Sequence, residues 1–523
     1  VAASMCGLWI LAQTSAAQPS LARYCPPGSL LFFEARDFAA IVRDWNSSPE
    51  KQLWTGSDNF AVFSRSRLYL RLEEAQKEFA AAAGLLPDMS LAESLAGRQS
   101  SLALYDIGKL EFLYLTHLEV SRAVESALWR TRSSYELRNS AGLPYYVRTD
   151  PASGRVAAFA SAKGLLLLAT REDLVAASLA LIAQQSGAAL NQEPWYMAAL
   201  KAAKAPGEIR MVMNMPAILR TPYFRSYWIQ RNVSDLRPYS AVVSDIFREA
   251  REIREERVFL RGQPAENGPV REEGVAQLLA YVPPDAGLYR AWAAPPRTLV
   301  LSLIESKLVS PGLDSGEPAA AAFTGTEADL ETRIDQEPLD LSPRNETLRL
   351  LGPLLEQVAV EALLHVQSSR TLPGGVFIGN HSALVLLGAK DWSFDAFRKI
   401  LPSVQVGGQG RVLVLADTPE MLKAVSAKLS SSPAGPPSAS EAAYAAGYRH
   451  GRELEPFTKM MSMIDHSTQA QWMPEGDSAR EPFFFSENVA SLGRALGRVE
   501  SAAIIVHDNG RLVPQTITYR FSK

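Results

Sequence analysis

The chain has 523 residues, with 53 Lys and Arg against 56 Asp and Glu, a formal net charge of −3, 47% hydrophobic residues and 21% charged ones. That composition excludes charge-driven disorder, and it leaves no electrostatic grip on DNA or RNA phosphates, which require clustered Lys and Arg. Beyond the first dozen residues no uncharged apolar run is long enough to cross a bilayer, so no transmembrane segment is expected after signal removal.

The N-terminus reads as an export signal. Met5 to Leu11 is a short apolar run, and Ser15-Ala16-Ala17 places small side chains where a signal peptidase acts. Residues 1–17 are therefore expected to be removed before Gln18, although no positive charge precedes Met5. The mature chain is expected outside the cytosol, periplasmic or secreted. Cys6 would leave with the signal. Cys25, beside Pro26 and Pro27, would remain alone as a small buried hydrophobe with no disulfide partner.

In chain order, Leu30 to Arg36 is the first strand, and Asp37 or Asp44 brackets a short helix, Phe38 to Trp45. Leu70, Leu72, Ala75, Phe79 and Ala82 form the stripe of a helix from Tyr69 to Ala83, closed by Gly84. Ser101–Tyr105 and Glu111–Glu119 form a hairpin in which Gly108 can take positive φ. A helix from Val120 to Trp129 follows. Three strands come next, near Tyr145–Arg148, Arg155–Ala160 and Leu165–Ala169, and then a helix from Glu172 to Gln184. Arg248/Glu252 and Arg251/Glu255 at i,i+4 spacing predict a charged helix over Asp245–Arg257.

Loops are expected at Arg261–Arg271, Gly312–Glu327 and Ser430–Ser440. Val376–Ile378 and Ala383–Leu387 read as strands joined through Gly379-Asn380-His381, and Trp392–Ile400 as a helix. Val404–Val406 and Arg411–Leu415 flank Gly407-Gly408-Gln409-Gly410, and Glu420–Leu429 is a closing helix. The chain ends in a hairpin, Ala502–Val506 and Gln515–Phe521, turning at Asp508-Asn509-Gly510, with its last strand paired inside a sheet.

Two motifs recur. Leu165 to Leu174 returns as Val412 to Met421, 247 residues later, each a buried-looking strand, a polar turn and an amphipathic helix. Tyr24-Cys25-Pro26-Pro27-Gly28 returns as Tyr281-Val282-Pro283-Pro284-Asp285, 257 residues later. Two tandem related α+β domains are expected, residues 18–270 with a helical extension and residues 271–523. Each should be a mainly antiparallel sheet with helices packed on one face.

No constellation calls for catalysis, a metal or a cofactor. The six histidines, His117, His365, His381, His450, His466 and His507, include no pair at ligand spacing on one helix or strand. Gly-x-Ser-x-Gly is missing, and the adjacent residues Asp465-His466-Ser467 cannot face one another in a relay. The glycines at 407–410 lie between strands, as a hairpin turn does, and do not open a helix as a phosphate loop would. Glu34 and Glu305 sit in apolar strand-like segments and read as charges on a solvated face. Trp195, Tyr196, Tyr223, Phe224, Tyr227 and Trp228 form the strongest partner-binding cluster, with packing between helices as the alternative. Trp45, Trp54, Phe60 and Phe63 are placed to clamp an N-terminal helix onto the first sheet.

Tyr24 to Asp37, a Pro-containing turn, an apolar strand and a helix after an Asp, resembles a group of exported bacterial proteins known as domains of unknown function. The resemblance covers about the first hundred residues and implies an extracytoplasmic α+β protein without assigning a catalytic residue. The resulting expectation is an exported, non-enzymatic binding or scaffold protein of the bacterial cell envelope, whose partners are envelope proteins or another copy of itself. Two alternatives stand beside it. One is an exported hydrolase acting on glycans or peptides through a carboxylate pair. The other is a carrier of an apolar ligand between sheet and helices.

Overall fold

Leu165–Ala169 and Val412–Ala416 are strands with every residue buried, and that double-sided burial organises the molecule. A strand that alternates apolar and polar residues needs cover on one face only, whereas a continuous apolar run needs it on both. The computed structural model describes residues 19–56, 60, 64, 67–184, 187–221, 236–266, 268, 270, 272–309, 346–371, 378–427, 442–459 and 499–522.

The first half contributes β1 (Leu31–Ala35), β2 (Ser100–Asp106), β3 (Glu111–His117), β4 (Glu136–Ser140), β5 (Leu143–Thr149), β6 (Val156–Ala162), β7 (Leu165–Ala169), β8 (Ile209–Asn214), β9 (Tyr239–Glu249) and β10 (Glu252–Arg261). The second half contributes β11 (Leu288–Ala293), β12 (Val360–Thr371), β13 (Ile378–Gly388), β14 (Gln405–Gln409), β15 (Val412–Ala416), β16 (Tyr444–Tyr448), β17 (Val499–Val506) and β18 (Leu512–Phe521).

All pairings are antiparallel, in the order β4-β5-β6-β7-β3-β2-β1-β8-β9-β10 through the first half. The sheet continues β18-β17-β16-β11-β12-β13-β15-β14 through the second. The pairing order thus recurs in reverse about a joint between β10 and β18, where Glu252 to Leu260 pair with Arg520 to Leu512. The α+β class and the antiparallel pairing agree with the sequence reading, but one continuous sheet replaces the two separate ones expected. The expected boundary at 270/271 falls in the connection between β10 and the helix Val275–Leu279.

Helices cover both faces of this sheet, not one. In the first half Phe32, Leu113, Leu115, Leu165 and Leu167 face a core under the helices Glu172–Ile182 and Pro194–Ala202. Phe159, Leu166 and Leu168 face the opposite core, with Ala82, Ala83, Leu91 and Leu128 from other helices. The second half repeats this layering, with Val385 and Val414 in one core and Leu384, Leu413 and Leu415 in the other.

Other expectations are corrected. Asp245–Arg257 is the β9–β10 hairpin, not a helix. Arg248 bonds Glu208 at 2.6 Å, Arg257 bonds Glu255 two residues away, and the Arg254 guanidinium lies 4.3 Å over the Phe247 ring directly across the ladder. Period-two contacts with neighbouring strands outweighed i,i+4 charge spacing. Val120–Trp129 is two short helices, because Ser126 leaves the helix and caps Ala127–Arg130. Gly379-Asn380-His381 lies inside β13, whose hairpin partner is β12, and Gly407 and Gly408 lie inside β14. Left-handed backbone in the β2–β3 turn falls on Leu110, not Gly108. Glu305 lies in a helical turn, Glu305–Val309, and not in a strand. The exposed strand β4 carried no apolar alternation by which to recognise it. Asn509 Oδ1 accepts from the Arg511 and Leu512 amides, forming the C-terminal turn as the sequence requires.

Candidate ligand cavity

Between β1 and β2 the chain folds helices over the sheet. Asp37 caps the helix Phe38–Ser47 by accepting from the Ala40 amide at 2.9 Å. The roof helix Arg67–Ala83 turns Leu72, Ala75, Phe79 and Ala82 of the expected stripe towards the sheet but leaves Leu70 exposed, and its chain exits through Gly84 at φ 68°. Asp88 then caps Met89–Leu95, accepting from the Leu91 amide at 2.8 Å.

These helices do not close fully onto the sheet. They leave a cavity of about 780 Å³, floored by Leu102 on β2, Phe112 and Tyr114 on β3 and Leu168 on β7, and bounded by Arg155 at the start of β6. Leu72 and Met89 stand at its rim, 46% and 42% exposed.

Five side chains lining it are polar, and each is engaged within the protein. Gln76 donates to the Pro87 carbonyl at 2.9 Å and Tyr114 to the Leu95 carbonyl at 2.9 Å. Arg155 pairs with Glu78 at 2.6 Å, and Thr170 accepts from the Phe112 amide at 2.9 Å while donating to the Leu110 carbonyl. Asp88 is committed to its cap. The Leu91 amide and the Ser90 hydroxyl hold its carboxyl below the usual carboxylate range, so it stays ionised and is a poor proton donor. It is the one carboxylate among the described lining residues, which therefore include no facing pair of the kind acid–base glycoside hydrolysis uses.

Strand register locates the matching position in the second half. Phe33 pairs with Leu102 and Leu102 with Tyr114, as Arg290 pairs with His365 and His365 with Leu384. Leu102, Phe112, Leu168 and Thr170 thereby correspond to His365, Ser382, Leu415 and Asp417. One hydrogen bond recurs as well, since the Ser382 amide donates to Asp417 at 3.0 Å where the Phe112 amide donates to Thr170. Among the described residues a packed core lies here, with Leu348, Leu351, Leu355 and Phe397 over the floor.

The polar group at this second position is not a catalytic relay. His365, 1% exposed, meets the Ser382 hydroxyl at 3.3 Å, but Asp417 contacts His381 and the Ser382 amide, not His365. Among the described residues no group of three His, Cys, Asp or Glu is arranged to hold a metal ion.

The aromatic cluster divides. Tyr196 is a core side chain, 1% exposed, edge-on to Phe32 at 5.7 Å, with Trp195 half-buried against it at 5.7 Å. Tyr196 has no face to present to a partner. Tyr223, Phe224, Tyr227 and Trp228 lie outside the described residues, as do residues 1–18 and Asp465-His466-Ser467. Trp45 is 45% exposed and does not clamp its helix to the sheet. Glu34 is not merely solvated, since it accepts from the Leu21 amide at 2.7 Å and from Gln99 at 2.9 Å, tying the first helical turn to β1. Cys25 is wholly buried, and burial pushes its thiol far up, which leaves it without nucleophilic character.

Fold and cavity together define an α+β protein with a two-sided antiparallel sheet and an apolar chamber under one helical layer. No family model and no curated protein matches the chain. Among solved structures, crystal form I of TP0453 aligns over 49% of this chain and 90% of its own, at 10% identity and a TM-score of 0.26, a likeness too slight to carry an inference. Among the described residues no helix is long and apolar enough to cross a membrane.

Proposed function

We propose that this chain is an exported, non-enzymatic binding protein of the bacterial cell envelope that holds an apolar ligand between the roof helix and the first half of the sheet. One observation carries the reading: a chamber of about 780 Å³ whose lining is largely apolar and whose polar side chains are already bonded within the protein. Ligand sites of this size are mostly apolar and largely pre-formed.

The test is to fill the chamber. Ala75→Phe and Ala92→Phe project rings into it from two helices. Titration with the dye 1-anilinonaphthalene-8-sulfonate should show at least a tenfold loss of affinity in each variant, with circular dichroism unchanged. Undiminished dye binding by folded variants would refute the assignment.

We further propose that the two halves are tandem copies of one α+β domain, one keeping an open chamber and the other a filled one. The recurring pairing order and the recurring Thr170/Asp417 hydrogen bond support this. Export is supported by the signal-like start. Appearance of the chain in the envelope or culture fraction with Gln18 as its first residue is the corresponding check.

A further inference from the structure

We infer that the ligand is an acyl chain, lying across the strands with its head group outside the chamber; this rests on the binding reading above. The floor runs from Leu102 on β2 across Phe112 and Tyr114 on β3 and Leu168 on β7, and ends against Arg155 at the start of the fourth neighbouring strand, β6. Three inter-strand spacings of about 4.8 Å make a floor about 14 Å long. An extended chain advances about 1.2 Å per bond, so about twelve carbons span it. The volume of about 780 Å³ is more than such a chain fills, which leaves room for bends.

The head is placed by elimination among the lining groups. Among the described lining residues Arg155 is the one cation, and Glu78 already neutralises it. Tyr114, Thr170 and Gln76 each donate to a carbonyl of the protein itself. A carboxylate or phosphate carried inside would lose its hydration and gain no uncommitted partner among these groups. At the rim, Leu72 and Met89 are both near half exposure, so a chain entering between them leaves its head in water. Recognition is then by hydrocarbon length alone.

Isothermal titration with straight alkan-1-ols of six to fourteen carbons tests this on the full chain. Burial of each methylene should raise affinity about fourfold, levelling near twelve carbons. The acid and the methyl ester of the twelve-carbon chain should bind within about threefold of the alcohol. A flat length series, or an acid binding more than tenfold tighter than the alcohol, overturns the inference. Pyrene, a rigid polycycle, serves as the separating probe. If pyrene binds, and Ala75→Phe abolishes that binding while the alcohols show no length dependence, the chamber is a ligand site but not for acyl chains. If neither pyrene nor any alcohol binds in a manner sensitive to Ala75→Phe and Ala92→Phe, the binding reading itself fails.

Discussion

His365 shows what one buried side chain can impose. Burial first, then the nearby charges of Lys307 and Arg290, push its imidazole from 6.5 down to about 3. Below pH 6.5 the unfolded chain takes a proton here that the folded chain refuses until about pH 3. The unfolded state binds more protons throughout that window, so stability falls as pH falls, by up to about 1.4 kcal/mol per pH unit. His365→Leu, which installs the residue found at the matching position 102, should flatten the slope between pH 6 and pH 4 in urea unfolding. An unchanged slope would assign the acid sensitivity to other groups. Asp245 is the second residue with large leverage. It is 3% exposed, accepts both arms of Arg210 at 2.8 Å and receives the Gly207 amide at 3.0 Å. Asp245→Ala leaves a nearly buried guanidinium without its anion and should cost about 3–5 kcal/mol in denaturant unfolding.

Among elements, the chamber wall Met89–Leu95 is the most vulnerable. A helix of seven residues depends on its ends, and Asp88 supplies the N-terminal one. Asp88→Ala should lower stability by about 1 kcal/mol, whereas Asp88→Asn, an equally good cap, should restore most of it. The same pair should rank dodecanol affinity, because Leu91, Ala92 and Leu95 line the chamber from this helix. Equal affinity in Ala and Asn variants would separate the cap from the site. The roof helix was legible from spacing, as was the C-terminal hairpin from its Asp-Asn-Gly turn. The β9–β10 hairpin was not. Arg248, Arg251, Glu252 and Glu255 satisfy helical spacing equally well, and only the strands on either side, with Glu208 and Phe247 waiting there, decide the conformation.

The whole molecule turns on one joint. The buried residues of each core come from one half, with Leu512 of β18 packing against the first-half core, and β10 with β18 is the ladder that makes one sheet of the halves. Ile517 pairs with Glu255 on one side and Ile504 on the other, so Ile517→Pro removes a ladder bond at a central strand and costs about 3 kcal/mol or more. Scanning calorimetry should show one transition for the native chain and two for the variant. A single lowered transition in the variant would mean that the halves cannot fold apart. The motifs at Leu165 and Val412 and the Pro-Pro turns at 26–27 and 283–284 recur visibly in the sequence, because apolar runs and turn chemistry are written in local residue types. Class, the wholly buried strands β7 and β15, the roof helix and the C-terminal hairpin follow from such short-range periodicity, whereas β4, β8, β9, β10, β12 and β16 do not. Joining of the halves, cover on both faces and the chamber are different in kind. They depend on which surfaces meet and how closely, and Leu102 and His365 occupy matching places with opposite outcomes, one under a gap and one under a packed core. Hydrophobic pattern states that a face must be covered. Only tertiary packing sets whether the cover touches the floor or stands off by the width of a ligand.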